Sequence, residues 1–293
     1  MYKSLADAIR DAEATGRTLS QAALDAESAD QGRTVEDIRA VLARALVVMR
    51  GAIDQGMVGD LYSASGLVGG DAAKLRTGPP GPLAGTLFRD VLARALAVQE
   101  VNAAMGVIVA APTAGGAGVL PAVLTGLAGS HNFSDDKLVD SLATAGLIGA
   151  VIAERASLSG AEGGCQAETG AGAAMAAGSA TELLGGTPSQ AGHAIALTMQ
   201  GMLGLVCDPL GGLVELPCVF RNATGAAIAL AGIEMALAGV TFAIPVDEVI
   251  DVMGEIGREM DVRYRETAGG GLAATPTGRR LAKERLYQIK RGG

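Results

Sequence analysis

Gln166-Ala-Glu-Thr-Gly-Ala-Gly-Ala-Ala-Met-Ala-Ala-Gly-Ser-Ala-Thr-Glu-Leu-Leu184 is built almost wholly from small side chains. Such a run has no polar face, so it reads as a helix packed on every side. Asn222–Ala238 repeats the pattern and reads as a second buried helix. Around them the large rings are scarce: no Trp, four Phe and four Tyr in 293 residues. The core must therefore be Ala, Val, Leu, Ile and Met. Small side chains let helices approach closely, which favours packed helices over aromatic-rich strands. The reading is an all-α bundle of buried, small-residue-rich helices with Gly/Pro-rich loops, one domain over 1–293, with residues 1–30 and 280–293 peripheral.

Composition excludes several classes. Hydrophobic residues make up 49% and charged residues 18%, the reverse of a disordered chain. Glycine numbers 43, about twice average usage, yet with no collagen-like period. The net charge is −8, and the basic run Arg279, Arg280, Lys283, Arg285, Lys290 and Arg291 reads as a solvated helix and tail, so no nucleic-acid surface is expected. Of the apolar stretches, Ala143–Ala153 is too short to span a bilayer and Ala223–Val240 carries Glu234 inside it. The N-terminus has no apolar signal core, and three Cys are too few for a disulfide scaffold. A cytoplasmic protein, with no membrane partner, is the expectation.

Along the chain, residues 1–30 read as one polar amphipathic helix and a turn. Thr34 opens a helix through Ile38, Leu42, Leu46, Met49 and Ile53. Asp60–Pro82 reads as a loop. A helix spans about Thr86–Met105, and Gly106–Ala111 is a short β-branched run. Ser134 reads as the cap of a helix to about Ala156. Ser157–Gly164 is a loop, Thr187-Pro188 opens a helix to about Met202, and Gly204–Pro217 is a loop. Pro245 opens a last amphipathic helix.

Chemistry concentrates at the cysteines. Cys165, Cys207 and Cys218 are 42 and 11 residues apart, with no C-x-x-C pair. All three sit in Gly- and Pro-rich turns at or near helix starts. On local composition two readings stand: buried thiols acting as small hydrophobes, or ligands on turns free to wrap an inorganic centre. The two histidines offer little: His131 reads as lying in a loop before a helix, and His193 mid-helix among Ala and Ile.

Longer patterns narrow this. Gly164-Cys165-Gln-Ala-Glu-Thr-Gly170, Leu205-Val-Cys207-Asp-Pro-Leu-Gly-Gly-Leu-Val-Glu-Leu-Pro-Cys218, Phe220-Arg-Asn222-Ala, Ser65-Gly-Leu-Val-Gly-Gly70-Asp-Ala-Ala-Lys74 and Asn102-Ala-Ala-Met-Gly106-Val-Ile-Val-Ala-Ala-Pro112-Thr113-Ala-Gly115-Gly116 all occur. Together they resemble the alpha chain of the iron–sulfur-dependent L-serine dehydratases, over roughly residues 1–280. The resemblance implies a [4Fe–4S] cluster held by Cys165, Cys207 and Cys218. Four thiolates are the usual set, so three leave one iron open as a Lewis acid. It also implies a carbon–nitrogen lyase of amino-acid degradation and gluconeogenesis, oxygen-sensitive, converting L-serine to pyruvate and ammonia. Some members carry a C-terminal cysteine that closes the site; with this chain ending Ile289-Lys-Arg-Gly-Gly293, that occlusion is not expected.

The remaining site assignments follow from both sources. The Thr113–Gly118 turn offers a hydroxyl and open backbone N–H groups suited to a carboxylate, naming Thr113, Gly115 and Gly116. Lys74 could add a cation and Asn222 could orient cluster or substrate, while Glu168 and Asp208 flank the ligands. The family's proton-abstracting base is a histidine in a Ser-Ser-His-Thr-x-Gly-Pro-Met-type motif that is absent here. A beta subunit carrying it is the expected partner, in a hetero-oligomer. The competing readings are a related cysteine desulfidase and a non-catalytic metal-binding scaffold built on the three cysteines.

Overall fold

A computed structural model describes residues 2–79, 81 and 85–292, with the side chains of the last helix described as far as Arg285. Pro80 and Pro82 of the sequence-read loop, and the side chains of Lys290 and Arg291, lie outside the described residues. Among the described residues the chain forms thirteen α-helical segments and no β-strand. One isolated parallel bridge joins Cys207 to Arg265.

The small-residue run is the centre of the bundle. Its first part, Gln166–Gly170, is a π-turn, and Ala171–Leu183 (α9, counting helices along the chain) continues it. Every residue from Ala171 to Thr181 is buried. Around α9 pack α6 (Val119–His131), α7 (Asp135–Arg155), α10 (Pro188–Gln200) and α11 (Cys218–Leu237). Glycine sets the spacing: a Cβ on Gly178 would lie 2.5 Å from Ile148 Cδ1 and 2.8 Å from Ile195 Cδ1. A second layer is α5 (Thr86–Ala103) against α3 (Val35–Gly56), α4 (Asp71–Thr77) and α11. A smaller hydrophobic cluster fills it, including Ile53, Ala72, Leu96, Val101 and Val219. The all-α reading holds, and so does the capped start at Thr187: its hydroxyl accepts from the Gln190 N–H in a full capping box.

Several local readings need correction. The first thirty residues form two helices, α1 (Leu5–Thr15) and α2 (Leu19–Gln31), separated by the left-handed Gly16. They bury Leu5, Ala8, Ala12, Leu19, Ala22 and Leu24 in the main core. Asp247 accepts from the Leu5 and Ala6 N–H groups at 2.9 and 3.0 Å, and Glu182 accepts from Leu19 N–H at 2.6 Å. The stretch 60–82 contains α4, whose start is capped by Glu100, a residue far along the chain. The loop 157–164 includes the single turn α8 (Gly160–Gly163). Ser134 stands at the cap position of α7 without a side-chain cap bond; Asp135 instead pairs with Arg50 at 2.6 Å. His131 ends α6 rather than lying in a loop. Gly106–Ala111 has no regular secondary structure and pairs with no strand among the described residues. The second buried helix begins at Cys218, not Asn222. After α12 (Val246–Glu259), which Pro245 caps, a further helix follows, α13 (Pro276–Gly292). No helix among the described residues is long and apolar enough to cross a membrane.

Candidate functional site

The three cysteines are buried free thiols at three backbone irregularities. Cys165 precedes the π-turn, immediately after Gly164 at φ +76°. Any side chain at Gly164 would be strained, and a Cβ would meet Met260 Sδ at 2.7 Å and Leu205 O at 2.9 Å. Cys207 sits in the loop between α10 and α11. Its N–H donates to Tyr264 O and its carbonyl accepts from Glu266 N–H, both at 2.8 Å. Cys218 is the first residue of α11, where helix N–H groups have no intrahelical partner.

Electrostatics tie the three together. Burial raises the Cys207 thiol far above the ordinary range, and the neighbouring Glu168, Cys165 and Cys218 charges add to it. Burial pushes Cys218 up to about 12, with Cys165 and Glu168 as further causes. Cys165 is raised by burial too, against the Thr169 hydroxyl at 3.1 Å and the Arg221 charge. Three anionic sulfurs do not coexist here without a cationic centre to offset them. Among the described residues no three His, Cys, Asp or Glu side chains are grouped to hold a single metal ion. Three buried thiols beside a carboxylate are soft donors of the kind that both zinc and iron–sulfur clusters take.

The Thr113 turn lies against this group through one carboxylate. Glu168, in the π-turn, accepts the Thr113 hydroxyl at 2.7 Å and comes within 3.9 Å of Cys207 Sγ. Burial raises its carboxyl above the usual range; the Thr113 hydrogen bond opposes that. Glycine permits the approach. A Cβ on Gly115 would lie 2.8 Å from Glu168 Oε2, on Gly116 2.6 Å from the Glu168 carbonyl, and on Gly160 3.1 Å from Cys207 Sγ. Asn222 stitches the turn to α11. Its Oδ1 accepts from Gly118 N–H at 2.9 Å, and its Nδ2 donates to Gly115 O at 2.6 Å and Cys218 O at 2.9 Å. Both amide hydrogens are committed and the side chain is fully buried, so Asn222 orients the turn rather than presenting itself to a ligand.

Other sequence-read residues lie elsewhere. Lys74 is exposed on α4 and pairs with Asp71 at 2.7 Å, with no bond to the Thr113 turn. His131 stacks on Phe133 with ring centroids 5.4 Å apart, and His193 Nδ1 accepts from Phe242 N–H at 3.3 Å. Neither histidine is bonded to a site residue. Asp208 is buried and accepts from Leu272 N–H at 2.6 Å. Sequence reasoning passed over Arg221, which pairs with Asp208 at 2.8 Å, and Glu215, which accepts from Ser63 Oγ at 2.8 Å and from Ser65 Oγ. The signal was available: a lone Arg in the first turn of an apolar helix, and a lone Glu between two cysteines.

Comparison with known proteins shows the family of the chain. The family model described as serine dehydratase alpha chain matches residues 14–273. The chain is similar to the probable L-serine dehydratase alpha chain of Bacillus subtilis, 51% identical over 256 residues, covering 86% of this chain and 84% of that protein. It is similar to the L-serine dehydratase alpha chain of Peptoniphilus asaccharolyticus, 41% identical over 269 residues, covering 90% and 91%. It also matches the L-serine dehydratase of Streptomyces coelicolor, 42% identical over 279 residues, covering 90% of this chain but 59% of that longer protein.

Proposed function

We propose that this chain, which belongs to the serine dehydratase alpha chain family, is the cluster-bearing half of an L-serine ammonia-lyase that releases pyruvate and ammonia. The observation that carries the reading is three buried thiols, with Cys165 and Cys218 raising Cys207, Cys165 raising Cys218, and Cys207 meeting the Thr113 turn through Glu168. Those thiolates would hold a [4Fe–4S] cluster. A cluster held by those three thiolates would supply Lewis-acid chemistry, weakening the C–O bond to the serine hydroxyl.

The chain's own residues do the rest of this half. On this reading the Gly115-Gly116 turn would meet the carboxylate of serine through backbone N–H, while the Thr113 hydroxyl is donated to Glu168 and the Gly116 N–H to the Thr113 carbonyl. Glu168 holds the Thr113 hydroxyl at 2.7 Å and fixes that turn beside Cys207. Asn222 locks the turn to the Cys218 helix, so cluster ligands and carboxylate anchor move as one unit. Abstracting the α-proton near neutral pH calls for a group titrating near 7, for which histidine is the usual side chain. His131 and His193 are engaged away from the site. On this reading the base comes from a second chain, which is supported by the name alpha chain carried by the similar proteins of Bacillus subtilis and Peptoniphilus asaccharolyticus.

The test is anaerobic reconstitution with iron and sulfide, followed by parallel pyruvate assays on serine and cysteine with and without a beta chain. The expected result is a brown, air-sensitive protein active on serine only with the second chain. Sulfide release from cysteine outpacing serine turnover would make it a desulfidase instead. Uptake of zinc but no iron would leave the scaffold reading.

A further inference from the structure

Arg221 projects from the first turn of α11, three residues after Cys218. Its guanidinium reaches back to the Cys207 loop and grips it on both sides of the cysteine. One nitrogen donates to Val206 O at 2.7 Å and another pairs with the Asp208 carboxylate at 2.8 Å. Asp208 is in turn fixed by Leu272 N–H at 2.6 Å, against a glycine, Gly271, whose Cβ would strike that carboxylate. The Arg221 side chain is 16% exposed and that of Asp208 3%. Burial works against the guanidinium charge, but the Cys165 sulfur and Asp208 outweigh it.

We propose that Arg221 is the positioning residue of this centre: it clamps the Cys207 loop to the start of the Cys218 helix and sets a fixed positive charge beside the cluster sulfurs. The proposal rests on the cluster reading above. The planar fork reaches a carbonyl and a carboxylate at once, which one ammonium does not reproduce. In desolvated surroundings a nearby positive charge also favours the more negative, reduced cluster.

These two roles separate by substitution in the full-length chain, reconstituted anaerobically and poised at one fixed potential. Arg221→Gln removes the charge. Its reduced-to-oxidised cluster ratio should fall at least tenfold, equivalent to about 59 mV for one electron, and its iron should be lost to a chelator faster. Arg221→Lys keeps the charge and loses the fork. Its ratio should stay within about threefold of the unsubstituted chain while iron loss is at least tenfold faster. An Arg221→Gln chain matching the original in both readouts would overturn the proposal. If that variant retains no cluster, Asp208→Asn decides: with a negative charge removed, its reduced fraction should rise, and a fall or no change overturns the charge role. Failure of the unsubstituted chain to take up iron and sulfide would instead sink the cluster reading, an outcome distinct from any difference between variants.

Discussion

Glu168 is the residue on which the site turns. Its carboxylate lies between the Thr113 hydroxyl and Cys207 Sγ, and the backbone glycines around it exist for clearance rather than for unusual dihedrals. Gly115→Ala would push a methyl at the end of the Glu168 side chain, whereas Gly116→Ala would push one at its carbonyl, 2.6 Å away. Backbone yields less than a side-chain tip. Gly116→Ala should lose about 1–3 kcal/mol of stability by overpacking, and more than Gly115→Ala, as read from urea unfolding midpoints. Thr113→Val leaves the buried carboxylate short of a donor, at about 1–3 kcal/mol. Under the proposed two-chain, cluster-bearing reading it should raise KM for serine strongly while the absorption of the reconstituted cluster stays intact. An unchanged KM would remove Thr113 from the substrate site.

At the scale of elements, carboxylates distant in sequence hold the helix starts. Asp247 of α12 binds the first turn of α1 through Ser4 Oγ, Leu5 N–H and Ala6 N–H. Asp247→Ala should therefore release α1 locally, with faster hydrogen exchange across residues 5–15 and a loss of about 0.5–2 kcal/mol. Glu100 caps α4 by accepting from Asp71 and Ala72 N–H, and its second oxygen is buried without a partner. Burial raises its carboxyl above the ordinary value. In the folded chain it keeps a proton that the unfolded chain releases near pH ~4.3. Its stabilising contribution is thus complete below about pH 4.3 and is lost as pH rises through the raised folded value. Glu100→Gln retains the cap oxygen and has no proton to lose. Relative to the natural chain it should gain stability steadily from about pH 4 upward, measured by urea unfolding across that range. Helix crossings give a matched pair within α3: Gly56 abuts the Ala97 carbonyl of α5, and Gly51 faces open space. Gly51→Ala should stabilise by up to about 1 kcal/mol, and Gly56→Ala should destabilise by about 1–3 kcal/mol.

For the whole molecule, one buried helix organises everything else. Because α9 is Ala- and Gly-rich, four helices close on it, and the π-turn at its start delivers Cys165 and Glu168 to one end of the bundle. The Cys207 loop and the α11 start converge on that end from the other side, tied to residues 264–266 and to the serine pair at 63 and 65. That arrangement joins the Cys207 loop to the Thr113 turn through Glu168, with neither His131 nor His193 bonded to them. The reconstituted chain alone should form no pyruvate, and adding a second chain that carries a histidine should restore turnover. Robust activity without that addition would move His131 to the front as the base.

The sequence by itself determined the helical class, the buried run 166–181 and the cap at Thr187. Each of these is written in local composition or in an unbroken motif, and local physics is enough to read it. Tertiary structure alone decided the two helices within residues 1–30, α4 inside an apparent loop, and the pairing of Arg221 with Asp208. Their stabilising partners, Asp247, Glu182, Glu100 and Asp208, stand far away or across a loop, and no periodicity records such a partner. The same reason separates Asn222 from Lys74. Both follow a motif, but only folding shows that one amide is spent on three backbone groups while the other side chain stands in solvent beside Asp71.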